Sequence, residues 1–362
     1  MTTAQRVRRA GVATAAALVI GGGGVAIGAA AADSSTPGTT AAAAATATPG
    51  PATSPGQAPA SYAGVVRQVL PSVVLIRTQN GLGSGVVLDR SGNIVTNAHV
   101  AGDATSFQVQ VAGDTAPRSA RLVGSYPPDD LAVIRVGNPA GLQPATFGDS
   151  DTVQAGDVVL AIGNPLGLSG SVTQGIISAT DRAVTEPSAD GSPAATLPGA
   201  IQTSAPINPG NSGGALVTTA GQVVGIPTLA AGSPQGGGQA QGIGFAIPSN
   251  LARDIATQII DTGHVTSSHR AALGAQVATV LGADGATGGV GVVAVTSGGG
   301  AERAGLRPGD VIKAVGGAPT PDATALTQAL AAAEPGDQVS VTISRDGQDR
   351  DVQVTLGELP GS

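Results

Sequence analysis

The chain has no cysteine, no tryptophan, three histidines, two tyrosines and three phenylalanines among 362 residues. Without cysteine there is no disulfide, no thiolate metal site and no thiol nucleophile. His99, His264 and His269 are scattered, so a histidine-based metal centre is not expected, and no cofactor is called for. So few aromatics leave Val, Ile and Leu to build the cores. Positive charge is also scarce: 17 Lys and Arg against 24 Asp and Glu give −7, with no basic stretch after Arg6, Arg8 and Arg9. Nucleic acid, which needs a cationic surface, is therefore not an expected partner.

Glycine (56 residues), proline (25) and alanine are abundant, and they are unevenly spread. The arginines near the N-terminus precede an uncharged run over residues 10–32. That pattern reads as either a cleaved signal peptide or a retained membrane anchor, because a bilayer span takes about 20 residues. In both readings the bulk of the chain lies outside the cytoplasm. Residues 33–60 are Ala, Thr, Pro, Ser and Gly with one charge, the composition of a linker that cannot bury enough apolar surface to fold.

Short apolar runs then recur from residue 73 to residue 247, separated by Gly, Asn and Asp, as expected of an all-β barrel or sandwich. His99 is expected at the end of the strand over 94–96. Residues 185–198 and 230–242 read as two long polar loops. Ser249 is expected to cap a helix with Leu251, Ile255 and Ile259 on one face, ended by Gly263. A second unit runs from about residue 272 to 358. It has a helix over 322–333 and strands over 338–345 and 349–356 around the hairpin signal Asp346-Gly347.

Asn208-Pro209-Gly210-Asn211-Ser212-Gly213-Gly214 carries the chemistry. A serine hydroxyl becomes a nucleophile when a base takes its proton and N–H groups await the oxyanion. Glycines permit turns that aim successive N–H groups at one point. His264 and His269 fall between the two units, so His99 is the favoured base. For the carboxylate that orients it, Asp130 directly precedes the strand Leu131-Ala132-Val133-Ile134, and Asp129 is its chief rival. The segment also fits the G-x-S-x-G elbow of α/β-hydrolase esterases, with Asp254 or Asp261 and then His264. That fold requires a helix after the serine, whereas the strand-like Ala215-Leu216-Val217 follows here.

With His99, Asp130 and Ser212 in place, the chain resembles HtrA/Deg-type serine proteases, a branch of the chymotrypsin-like clan. The resemblance spans about residues 62–358. It rests on Gly83-Ser84-Gly85-Val86-Val87, Thr96-Asn97-Ala98-His99-Val100, Asp130-Leu131-Ala132-Val133, Ala161-Ile162-Gly163-Asn164-Pro165, the Ser212 segment, and Gly242-Ile243-Gly244-Phe245-Ala246-Ile247-Pro248. It implies a mostly β fold, a chymotrypsin-like double β-barrel (61–262) joined by a linker (263–271) to a small α+β PDZ domain (272–358).

The resemblance further implies an oxyanion hole from the N–H groups of Gly210 and Ser212, with Asn211 between them. Pro206 falls at the floor of the primary pocket, and no acid occurs from Ile201 to Ser212, which disfavours cleavage after Lys or Arg. Ile207, Leu229 and Ile243 are pocket candidates, with ordinary barrel packing an equal alternative for each. Ala272-Leu273-Gly274-Ala275 matches the PDZ carboxylate loop, which binds C-terminal or apolar peptide segments. The implied protein is an extracytoplasmic endopeptidase for misfolded envelope proteins and a homotrimer. Only residues 78–82 stand where some relatives carry the insertion used in large cages. The alternative from another class is a chaperone-like scaffold that binds peptide without turnover.

Overall fold

Alternating short apolar strands close into two barrels in the computed structural model. It describes residues 61–79, 81–164, 170–186, 195–208, 210–232, 239–281 and 286–361. The signal-or-anchor and linker readings over 1–60 lie outside the described residues. Among those described, no helix is long and apolar enough to cross a membrane.

Helix α1 (Tyr62–Val69) leads into barrel one. Its strands are β1 (Val73–Arg77), β2 (Leu82–Val87), β3 (Asn93–Thr96), β4 (Ser106–Gln110), β5 (Arg118–Tyr126) and β6 (Leu131–Val136). They close in the order β1-β2-β3-β6-β5-β4. Barrel two comprises β7 (Val158–Gly163), β8 (Ser171–Glu186), β9 (Ala195–Thr203), β10 (Ala215–Thr218), β11 (Val223–Gly232) and β12 (Gln239–Pro248). It closes in the order β10-β11-β12-β9-β8-β7, and every strand pair in both barrels is antiparallel.

Two-residue periodicity explains how the barrels pack together. In β6, Ala132, Ile134 and Val136 fill barrel one, while Leu131 and Val133 point the other way. In β10, Leu216 fills barrel two and Ala215 and Val217 point outward. The outward sets meet in a third core with Val65 and Val69 of α1 and with Ala252, Ile255 and Ile259 of α3 (Ser249–Thr262). Strands buried on both faces read as unbroken aliphatic runs, which is why β6 and β10 stand out in the sequence.

The C-terminal region begins with the short β13 (Ala271–Ala272), then β14 (Ala275–Leu281) and β15 (Thr287–Val295). The remaining elements are α4 (Gly300–Arg303), β16 (Val311–Val315), β17 (Ala318–Pro319), α5 (Ala323–Leu330), β18 (Gln338–Arg345), β19 (Gln348–Thr355) and β20 (Gly357–Glu358). The main sheet runs β14-β15-β16-β18-β19, which leaves β14 at an edge, and β13 pairs separately with β20. Asp346 and Gly347 both have positive φ, as the β18–β19 hairpin turn requires.

Three local expectations change. The polar loop expected over 185–198 carries strand at both of its ends, since β8 runs to Glu186 and β9 starts at Ala195, and its middle lies outside the described residues. Mutual pairing sustains strand where side chains alone give no alternation. The same holds for 230–242, where β11 reaches Gly232 and β12 starts at Gln239. Ser249 is the first residue of α3 rather than its cap. Pro248 is the cap, and the Ser249 hydroxyl donates to the Gly148 carbonyl at 2.8 Å.

Candidate active site

His99 and Asp130 both come from barrel one. Thr96 ends β3 opposite Ala132 of β6, so residues just after β3 and just before β6 are neighbours. His99 is not at a strand end: it lies in the single helical turn α2 (Ala98–Ala101). Asp130 follows a 3₁₀ turn over Pro127–Asp129 and adopts a left-handed conformation, φ 51°. Its carbonyl accepts from the Ala98 N–H (3.0 Å) and the Asn97 side-chain amide (3.1 Å). Its carboxylate accepts from the His99 backbone N–H at 2.9 Å and lies 2.8 and 3.0 Å from His99 Nδ1. Asp130 is buried, while His99 is 28% exposed. A buried carboxylate at Nδ1 holds the ring proton there and leaves Nε2 to act as a base.

Ser212 sits just before β10 of barrel two. Ser84 of β2 braces its segment from barrel one. The Ser84 N–H donates to the Ser212 carbonyl (2.9 Å), and the Ser84 hydroxyl donates to the Gly210 carbonyl (2.6 Å) and accepts from the Asn164 N–H (2.8 Å). The approach is too close for a side chain at Gly213: its φ is 77°, and a Cβ there would lie 2.3 Å from the Ser84 carbonyl oxygen. Asn211 is buried and folds the turn back on itself, accepting from the Asn208 N–H (3.0 Å) and donating to the Pro206 carbonyl (3.1 Å). Among the described residues, the N–H groups of Gly210 and Ser212 donate to no acceptor. Pro209, between Asn208 and Gly210, lies outside the described residues.

Thr228 of β11 links the two halves. Its carbonyl accepts from the Ser212 hydroxyl at 3.3 Å, and its own hydroxyl donates to the Asp130 carboxylate. Neither this residue nor Ser84 is marked as functional by its sequence context. Both act through contacts between strands far apart in the chain. The only sequence trace of Ser84 is its place in Gly83-Ser84-Gly85.

Residues 83–226 match the trypsin-like peptidase domain family, and residues 271–356 match the PDZ domain family. Serine protease PepD of Mycobacterium tuberculosis is 41% identical over 319 residues, covering 83% of this chain and 67% of PepD. The periplasmic pH-dependent serine endoprotease DegQ of Escherichia coli is 35% identical over 344 residues, covering 84% of this chain and 73% of DegQ. The solved structure of the HtrA-type protease AlgW with a decapeptide aligns at TM-score 0.54 and 35% identity, covering 83% of this chain and 99% of AlgW. The chain belongs to the HtrA/Deg family of serine endoproteases.

In this HtrA/Deg endoprotease, Asp129 does not face His99. It is 0% exposed and pairs with Arg270 at 3.1 Å. Burial pushes its carboxyl up to about 6 against the pull of Arg270. Of the pocket candidates, Pro206 is exposed, Ile243 is 37% exposed, and Ile207 packs inside barrel two with Ile201, Leu216 and Val224. The side chain of Leu229 lies outside the described residues, though its backbone pairs with Phe245. In the PDZ region, Ala272 belongs to β13, Leu273 is buried in the local core, Gly274 has φ 74°, and Ala275 opens β14. His264 and His269 are exposed beyond α3, where His264 Nδ1 meets the Thr262 carbonyl and His269 pairs with Asp254, and strand β10 rather than the helix of an esterase elbow follows Ser212. Among the described residues, no group of side chains could hold a metal ion.

Proposed function

We propose that this endoprotease cleaves peptide bonds through Ser212 as nucleophile, His99 as general base and then acid, and Asp130 as the group that orients His99. The observation that carries this reading is the chain of contacts His99–Asp130–Thr228–Ser212, which spans both barrels. Attack begins as the Ser212 hydroxyl turns from the Thr228 carbonyl to the imidazole. The serine oxygen then adds to the scissile carbonyl while its proton passes to His99 Nε2. The imidazolium, held by Asp130, gives that proton to the leaving amine, and water hydrolyses the acyl-enzyme by the reverse sequence.

The N–H groups of Gly210 and Ser212 are the proposed donors to the oxyanion, with Asn211 bracing the turn between them. Their lack of any acceptor among the described residues supports this role. Losing one such donor costs about 10² to 10³ in rate. Pro206 at the pocket floor and the exposed Ile243 favour a small or medium apolar residue before the scissile bond. Ile207 supports the packing alternative instead.

We take residues 61–262 as the protease domain, 263–271 as the linker and 272–358 as the PDZ domain. A peptide would add to the edge strand β14 beside α5, its carboxylate at Leu273-Gly274. Among the described residues the N–H groups of Leu273 and Gly274 have no acceptor. The substrates are then unfolded extracytoplasmic proteins with apolar segments. The test is casein hydrolysis by the full-length protein beside Ser212→Ala. Turnover only in the wild type is expected, and equal turnover in both would overturn the assignment of Ser212.

A further inference from the structure

Arg270 reaches from the PDZ side into the turn that delivers Asp130. Its backbone belongs to the C-terminal region. The Arg270 carbonyl accepts from the Leu359 N–H (2.7 Å), and the next residues, Ala271 and Ala272, pair with Glu358 and Gly357. Its neighbours are tied to the same end: the His269 N–H and the Ser267 hydroxyl both donate to Glu358 (2.8 and 2.7 Å). The Arg270 side chain points the other way and is only 11% exposed. Nη1 donates to the Pro128 carbonyl at 2.7 Å and to Asp129 Oδ1 at 3.1 Å. Asp130 follows immediately, in its left-handed conformation.

We infer that Arg270 is a positioning residue for Asp130, by which the PDZ-side segment holds the carboxylate that orients His99. The inference rests on the triad proposed above, and two physical arguments carry it. A non-glycine residue in the left-handed region carries a backbone cost and persists only where its surroundings over-determine it. Asp130 is held from one side by Ala98 and Asn97 and from the other by the turn that Arg270 clamps. The second argument is electrostatic. Asp129 and Asp130 are consecutive buried acids, and Asp129 Oδ2 has no hydrogen-bond partner among the described residues. Arg270 offsets the charge on Asp129, so that Asp130 alone faces the imidazole. The other titratable groups around Asp129 are Tyr126 of β5, His269 of the linker, His99 of α2 and, behind Tyr126, Glu358 of β20. None of them replaces the reach of Arg270 Nη1 to both the Pro128 carbonyl and the Asp129 carboxylate.

The route is short. Only Ala271 and Ala272 separate Arg270 from Leu273-Gly274, the proposed peptide-carboxylate loop.

The test uses the full-length protein and an internally quenched peptide, with rates normalised to Ser212 sites titrated by a fluorophosphonate. Wild type, Ser212→Ala, Arg270→Ala and Arg270→Lys are compared over pH 5–9. Arg270→Ala is expected to lower kcat per titrated site about ten-fold, with KM within about two-fold, and to displace the acidic limb of the kcat profile. Arg270→Lys is expected to recover at least a third of the wild-type kcat. Arg270→Gln, which keeps a donor for the Pro128 carbonyl, makes the same comparison if the alanine variant does not fold. A wild-type kcat per site and pH profile in Arg270→Ala would overturn the inference, even if its melting temperature falls. Absence of Ser212-dependent turnover in the wild type would overturn the triad reading, and this inference with it.

Discussion

Thr228 is the clearest case of a single residue that both barrels need. A hydrogen bond to a charged group contributes about 1.5–3 kcal/mol, more than a neutral one. Thr228→Val keeps the volume and removes the donor to Asp130. We expect kcat to fall about ten-fold with KM little changed, and Thr228→Ser to stay near wild type, as read by steady-state hydrolysis of a peptide substrate. Asp129 behaves differently because it is buried against one cation. Its carboxyl titrates near 6 in the fold but near the ordinary carboxylate value when unfolded. Between those pH values the folded protein keeps a proton that the unfolded chain has released. Stability from this group is therefore present at pH 4 and lost as pH rises past 6, by on the order of 2 kcal/mol. Melting curves of wild type and Asp129→Asn should show the wild type losing ground to the variant from pH 4 to pH 7. A constant difference across that range would contradict the assigned environment.

At the scale of elements, legibility follows burial. β6 and β10 are buried on both faces and read as unbroken aliphatic runs. The long ends of β8, β9, β11 and β12 are legible only once paired, because their Ala, Thr, Gly and Gln residues carry no alternation. α2 is a single turn with no periodicity to detect, so in the sequence His99 reads as the end of a strand. Ser212 and His99 were readable because glycines and a short histidine census marked them. Asp130 is favoured over Asp129 by its place directly before the strand, while its left-handed conformation is invisible in the sequence. The helix expected over 322–333 is the shorter α5 (Ala323–Leu330), with Asp322 as its cap, accepting from the Ala325 N–H at 2.8 Å. Asp322→Ala should cost about 1 kcal/mol of local stability. Since α5 walls the proposed groove beside β14, this variant should also weaken binding of an apolar C-terminal peptide, measured by fluorescence anisotropy.

For the whole molecule, the scarcity of aromatics and charge has a constructive side. Two barrels and a PDZ region are built almost wholly from Val, Ile, Leu and Ala, and the fold sets the active site where the barrels meet. On the proposed triad neither barrel is expected to act alone, because barrel one supplies His99 and Asp130 and barrel two supplies Ser212 and Thr228. The proposed triad requires this junction to activate Ser212. A fluorophosphonate reacts with an activated serine, and peptide mapping by mass spectrometry locates the adduct. We expect a single adduct on Ser212 in the full-length protein, lost in Ser212→Ala and slowed by at least about 10³ in His99→Ala. Undiminished labelling of Ser212 in His99→Ala, or an adduct on another serine that survives Ser212→Ala, would contradict it.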